Sequence, residues 1–331
     1  MAGALSFFLA FQYFLLTFFH YSSIAANANY NVQSLGAKSD GKTDCTKAFL
    51  SAWTSACAST QPATIYVPPG IYLLGAATFA GKSCKNTAIT IQIDGTLVAP
   101  SDFNVIGNSG NWIKFESVTG VSVIGGTLDA QGANLWACKN SGKSCPTGAT
   151  KFNILVDGCH NAKLVGIKVS APGNSPNTDG IHVEKSTGVT IMNSRIGTGD
   201  DCLSIGPGTS NLWIETIACD PGHGISIGSL GWDLQELGVQ NVTVKSATFT
   251  GTQNGARVSG VKISDVTYQD RHGSSATETA VKFDCSKENP CSDITLEDVK
   301  LTYKNEAAHS SCINAIGKSS GSVEPNSCLS L

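Results

Sequence analysis

The sequence is short of charge. Asp, Glu, Lys and Arg make up 14% of its 331 residues, against about 25% in an ordinary soluble domain, so long helices with a charged solvent face are not its main building element. The formal net charge of −3 supplies no global field for an acidic polymer or a nucleic acid. Nucleic acid is excluded as a partner, and any anion must be bound by local cations. Histidine is scarce too: the six present include no H-x₃-H or HExxH spacing, which removes the usual zinc-hydrolase arrangement. No EF-hand or nonapeptide calcium repeat occurs. We therefore expect no metal and no cofactor. Beyond Ala28 no apolar run is long enough to span a bilayer. No helical pattern of ten or so residues separates the strand-like runs, which excludes a doubly wound α/β sheet.

What is present begins with a leader. Residues 1–28 contain no Lys, Arg, Asp or Glu, are largely apolar from Phe7 to Phe19, and end in small residues with Ala26-Asn27-Ala28 as a cleavage pattern. This reads as a signal peptide, leaving a mature chain over 29–331 with no membrane segment. An uncleaved anchor is the competing reading, since the usual positive charge before the apolar stretch is missing. All 12 cysteines follow this segment, and an even number in a secreted chain implies disulfides. Asn241-Val242-Thr243 is a sequon for a surface glycan. An extracellular, monomeric protein is expected.

From about Gly120 onward short β-branched runs recur, starting at Gly120, Ala162, Gly188, Asn211, Asn241, Gly260 and Asp293. A second series interleaves with them, starting at Gly180, Cys202, Gly224 and Gly255. Each run opens at a turn residue and reads as a strand. Two strands per repeat, with no helix between them, describe a solenoid whose coils bury their apolar faces only by stacking. The fold class is all-β, a right-handed parallel β-helix, as one solenoid domain over 29–331. A β-sandwich is the alternative. The stretch from Lys47 to Cys57 is the best helical segment, and it is placed as a short cap over the N-terminal end of the stack.

Polar residues recur at one place in successive repeats. Asp179, Asp201 and His223 are evenly spaced, the interval from the first to the second equalling that from the second to the third, and each stands at the start of a strand, with Asp200 beside Asp201. If that interval is the length of one coil, neighbouring strands about 4.8 Å apart pile these side chains against one groove. Carboxyls that close cannot all ionise, so at least one keeps a proton. A protonated acid together with an ionised base is what glycosidic bond hydrolysis requires. Asn-Thr-Asp-Gly and Gly-Asp-Asp are also ordinary turn compositions, and each alone would be structural; their common register argues otherwise. Asp200 and Asp201 can both reach the groove only if the backbone is irregular there, and a turn or bulge is expected at Gly199.

Asn177-Thr-Asp-Gly180, Gly199-Asp-Asp-Cys202, Gly222-His-Gly224 and the following Arg257 resemble, in order and spacing, the signature motifs of family 28 polygalacturonases. The resemblance spans nearly the whole mature chain and leans toward the plant exo-acting, pollen-type group. It implies inverting hydrolysis of α-1,4-galacturonosidic bonds in demethylated pectin, with polygalacturonate as partner and the cell wall as location. Asp200 would be the general acid, Asp179 and Asp201 would activate water, and His223 would support them. Asn177, Gly224 and Arg257 would bind substrate. It also implies disulfides Cys202–Cys219, Cys285–Cys291 and Cys312–Cys328. Cys159 falls in an apolar run and reads as a buried free thiol behaving as a small hydrophobe.

The chain departs from that family in one motif. Where the pattern is Arg-Ile-Lys, with both cations on galacturonate carboxylates, this sequence has Arg257-Val258-Ser259. The runs at Asn241 and Gly260 start closer together than any others in this region, so a full coil does not fit between them, and a second stretch is missing before Asn153. Lys262 is the candidate to replace the absent cation. Two further readings are a pectin-binding protein without turnover and a calcium-dependent β-helical lyase.

Overall fold

The computed structural model describes residues 27–106, 109–142, 144–146, 152–233 and 235–331; the expected leader lies, up to residue 26, outside them. The described chain is a right-handed parallel β-helix, each coil contributing a strand to a 15-stranded sheet and another to a 9-stranded sheet. Pairing is parallel throughout, apart from one short antiparallel contact of Thr302 with Ala307. The two interleaved series in the sequence are the two sheets.

Register decides what each residue does. On the 9-stranded sheet Ile181, Leu203, Ile225, Ala256 and Val281 are successive Cα partners. So are Val183, Ile205, Ile227, Val258 and Phe283, and every member of both rows is buried. Between them runs a third row, His182, Ser204, Ser226, Arg257, Lys282 and Ser311. Because side chains alternate along a strand, this third row projects outward where the other two project inward.

The larger sheet bends around the core twice per coil. Asn211, Asn241, Asp265 and Asp293, at equivalent positions, have φ of 53°, 54°, 54° and 55°, and Thr216, Ser246, Asp270 and Asp298 repeat the device with φ of 55°, 52°, 53° and 49°. Asn and Asp tolerate this left-handed conformation because their short polar side chains bond locally. Asn241 of the sequon is exposed at such a corner, its amide donating to Asn211 Oδ1 at 2.5 Å. The cap is the helix Thr46–Ala58, which buries Ala48, Phe49, Ala52, Trp53 and Ala56 along one stripe over the first coils. Trp53 donates from Nε1 to Ala80 O at 2.9 Å and meets Phe79 edge-on. A further helix, Ala133–Asn140, lies between the strands Val121–Asp129 and Phe152–Asp157, and the coils on either side still pair in register.

Two expectations are corrected here. The run Gly260–Ile263 is not a strand: one strand ends at Gly260 and the next begins at Ile263 on the other sheet. Val242 pairs with Val266 one coil later, so a complete coil does fit between Asn241 and the next repeat. The other concerns cysteines. Disulfides join Cys285–Cys291 and Cys312–Cys328, and also Cys57–Cys84 and Cys138–Cys145, whereas Cys202 and Cys219 are buried as free thiols in contact. Burial, reinforced by the neighbouring Cys219, pushes the Cys202 thiol up, away from the thiolate that exchange needs. Cys159 is a buried free thiol as expected, and Cys45 is another.

The core also holds a cation. Arg271 is 1% exposed and stacks over Phe249 and Tyr268 at 4.6 and 5.2 Å. Its Nη2 donates to Gly255 O at 2.6 Å, while Nε and Nη1 find no hydrogen-bond partner among the described residues. Burial pulls its pKa down to about 10. A buried charge so incompletely partnered opposes folding, and an apolar side chain of similar length fills the same space without that cost. Arg271→Met is expected to stabilise the chain by about 1–4 kcal/mol. Thermal unfolding of the two proteins checks this, and a lower melting temperature for the variant would refute it.

Candidate active site

The acids lie where strands of the 9-stranded sheet begin. Asp179 opens the strand Asp179–Glu184, Asp201 opens Asp201–Ile205, and His223 precedes Gly224–Ile227. Between Ile196 and Asp201 the chain bends at Gly199 and Asp200, and the register then shifts between Asp201 and Leu203. This is the irregularity that Asp200 and Asp201 need to point the same way. Gly199 permits it: a Cβ there would stand 2.3 Å from Ser175 N, so only glycine lets the two backbones touch. Asn153 amide donates to Asp179 O at 2.9 Å, and Thr198 hydroxyl donates to Thr178 O, so coils on either side fix the acidic segments.

The four expected reacting side chains come together. Asp200, Asp201 and His223 offer ligand atoms all within 4.8 Å of one another. Asp200 accepts from Asn177 N–H at 2.7 Å and Asp201 N–H at 2.9 Å, and its Oδ1 is 3.1 Å from His223 Nδ1. Asp179 and Asp201 lie deeper, at 9% and 6% exposure. Each is tethered by a serine from the outward row one coil on, Ser204 donating to Asp179 Oδ2 at 2.5 Å and Ser226 to Asp201 Oδ2. His182 Nδ1 sits 2.7 Å from the Ser204 hydroxyl, completing a chain behind Asp179. Asp201 Oδ1 is buried with no hydrogen-bond partner among the described residues. Sequence reasoning missed Ser204, Ser226 and His182, although their positions, spaced along the chain just as the acids are, carried the signal.

Electrostatics separates the carboxyls. Burial raises Asp179 to about 8, with the charges of Asp201 and Asp200 adding and Ser204 opposing. Burial raises Asp201 to about 6, where Ser226 holds it back and Asp200 adds, while Arg257 and His223 oppose. For Asp200 burial pushes up, but the His223 contact and the N–H donors of Asn177 and Asp201 outweigh it, and the net shift is down. His223 is raised above its ordinary 6.5 by that same hydrogen bond to Asp200, against its own partial burial. Two depths result: at the surface the proton is favoured on His223 beside an ionised Asp200, and below them Asp179 keeps its proton to higher pH than Asp201. The compactness of Asp200, Asp201 and His223 would in geometry also suit a cation, and the donor set is the only such cluster among the described residues.

A groove of about 620 Å³ opens over these residues, bordered by Asn177, Asp200, His223, Gln253, Asn254, Arg257, Thr277, Thr279, Lys282 and Ser311. Of the expected substrate-binding residues, Asn177 and Arg257 border it. Gly224 does not: it is buried beneath, at φ 104°, where a Cβ would meet Asn254 O at 1.9 Å. Its part is to let the next coil approach. Lys262 is also elsewhere, donating to Glu236 O at 3.2 Å and lining a separate depression with Gly208 and Leu237.

A sequence model of the family described as "Glycosyl hydrolases family 28" matches residues 57–154, 147–259 and 257–323. A polygalacturonase of Prunus persica is 54% identical, the match covering 93% of this chain and 95% of that one. An exopolygalacturonase of Zea mays is 34% identical over 91% of this chain and 90% of its own. The first alignment is 375 positions long, more than the 331 residues of this chain, so that relative carries internal residues missing here. The family matches restart near residues 147 and 257, the two places where the motif pattern is short. Among solved structures, an endo-xylogalacturonan hydrolase from Aspergillus tubingensis superposes with a TM-score of 0.63 at 24% identity, covering 84% of this chain and 86% of that one. A polygalacturonase from Erwinia carotovora gives 0.51 at 21% identity, covering 82% and 94%. These superpositions bear on the fold.

The raised pKa of Asp179 has a consequence for stability. Because its folded value of about 8 lies above the 3.8 of a free carboxyl, between those values the folded chain holds a proton that the unfolded chain has released. The penalty is absent below pH 4 and grows as pH rises toward 8. Asp179→Asn removes it, so the variant's gain in melting temperature over the wild type is expected to be larger at pH 7 than at pH 4, at about 2–4 °C per kcal/mol relieved. Equal gains at both pH values would refute this.

Proposed function

Because the chain belongs to glycosyl hydrolases family 28, we propose that it hydrolyses the α-1,4-galacturonosidic bonds of demethylated pectin with inversion, removing residues from a chain end. The observation that carries the reading is the separation of one titratable pair at the groove surface from a second pair below it. The Asp200–His223 pair gives its proton to the glycosidic oxygen as the bond to the anomeric carbon breaks. Asp201, the more readily ionised member of the lower pair, takes a proton from water through its unpartnered Oδ1 as that water adds to the anomeric carbon. Asp179, braced by Ser204 and His182, keeps the lower proton and orients the water. Inversion rests on the family resemblance, since ligand atoms of Asp200 and Asp201 come within 4.8 Å of each other, nearer than the about 6.5–9.5 Å usual for an inverting pair. Asn177 and Arg257 hold the substrate from the groove wall. The apolar leader and the disulfides support secretion to the cell wall, and the protein acts as a monomer.

A second reading is pectin binding without turnover, favoured by the serine at 259 where the family motif has lysine.

Release of reducing ends from polygalacturonate distinguishes the two. Asp200→Asn and Asp201→Asn are each expected to lower kcat by about 10²–10⁴-fold, the usual worth of a positioned acid or base. Binding of polygalacturonate with no reducing ends from the wild type would establish the second reading. Galacturonic acid as the dominant early product supports chain-end attack, and a ladder of oligomers would refute it. Products without ultraviolet absorbance, formed equally with chelator present, separate hydrolysis from a calcium-dependent lyase. The pH profile of kcat/KM is expected to be bell-shaped. Rate is lost as pH falls through the Asp201 value near 6, where the base protonates, and again as pH rises through the His223 value above 6.5, where the surface proton leaves. A rate that keeps rising with pH would remove the proton from the mechanism.

A further inference from the structure

Resting on the reading just given, we propose that Lys282, carried by the coil after Arg257, is the second cation of the substrate-carboxylate site, and that the shortened solenoid itself places it there. Arg257 and Lys282 are direct Cα partners on adjacent parallel strands, which lie about 4.8 Å apart. Both belong to the outward row: Arg257 is flanked by buried Ala256 and Val258, and Lys282 by buried Val281 and Phe283. Both border the groove that Asp200 and His223 also border.

Their surroundings point to an anion between them. Like charges directly opposite across strands repel, and neither guanidinium nor ammonium has a hydrogen-bond or ion-pair partner among the described residues. Asp201 feels the charge of Arg257, but no acid among the described residues forms an ion pair with either cation. Asp284, two residues beyond Lys282, makes no ion pair with either, and Glu278 faces His309 at 3.2 Å. Thr277, Thr279 and Ser311 supply hydroxyls around the same space. Two cations with polar neighbours and no ion pair among the described residues fit a carboxylate, Arg257 through its fork and Lys282 as a point charge.

The placement depends on chain length. The family match restarts at residue 257, within the strand that carries Arg257, and a longer relative carries internal residues missing here. Here the next coil follows at once, and its lysine arrives beside the arginine. The charge missing at position 259 is restored from a different strand.

Binding of hexagalacturonate and of its methyl ester is measured in the Asp200→Asn background, which keeps the ligands intact. Adding Lys282→Gln is expected to weaken hexagalacturonate binding by about tenfold to a hundredfold, the worth of one charge-assisted contact, and to leave the ester unchanged. Lys282→Arg is expected to restore binding to within a few-fold, and Lys262→Gln to have no effect. Equal loss for acid and ester, or undiminished binding by Lys282→Gln, overturns the pair while leaving the proposed function intact. Failure of the background protein to bind either ligand, with no turnover by the wild type, overturns both. Lys282 is exposed, so a melting temperature matching the parent confirms that each variant is folded.

Discussion

In-register stacking of parallel strands is the constraint on which everything else depends. Once Ile181, Leu203 and Ile225 are Cα partners, alternation along each strand leaves no choice about the residues between them. His182, Ser204 and Ser226 must form an outward row, and the acids at the strand starts must meet above it. The chemistry is therefore a by-product of core packing. A substitution that slipped one strand by one residue would expose the apolar rows and bury the polar one together.

The same constraint explains how a chain shorter than its relatives can keep the fold. Each coil contacts only its neighbours, so removing a whole coil costs the contacts of that coil and lets its neighbours pair. The apolar rows continue through Ala256 to Val281 and through Val258 to Phe283 without interruption. What changes is the outward row, because its members were independent of the core to begin with. Stability is averaged over many equivalent positions, while recognition depends on the particular residue that arrives beside Arg257.

The sequence made the solenoid and the acidic constellation readable for a simple reason: coils of equal length repeat without insertion between Asp179 and His223, so spacing in sequence equals position in space. Where coil length varies, that equivalence fails. Gly260–Ile263 looked like one strand because Val and Ile flank a corner, yet the corner is at Val261–Lys262, with Lys262 at φ 56°. Lys262 was the candidate cation on nearness in sequence alone, whereas register sets Lys282 beside Arg257. Ser204 and Ser226 were hidden by their ordinary composition, and no motif marked Arg271, whose guanidinium packs over Phe249 and Tyr268. The Cys202–Cys219 contact was legible, its oxidation state was not.

Depth within the groove ties these observations together. Asp200 has solvent, an imidazole and two N–H donors around it, and its carboxyl is held down. Asp179 and Asp201 have the same side chain, but they lose solvent, Asp179 gains the charges of Asp201 and Asp200 and Asp201 that of Asp200, and both are pushed up. A displacement of a few ångströms toward the core thus converts chemically identical groups into an acid pair and a base pair. The core that the stacked isoleucines build is what makes the lower pair dry enough to hold its proton. A solenoid with weaker packing beneath Asp179 would admit water, and the two depths would merge into three ordinary carboxylates with no proton to exchange near neutral pH.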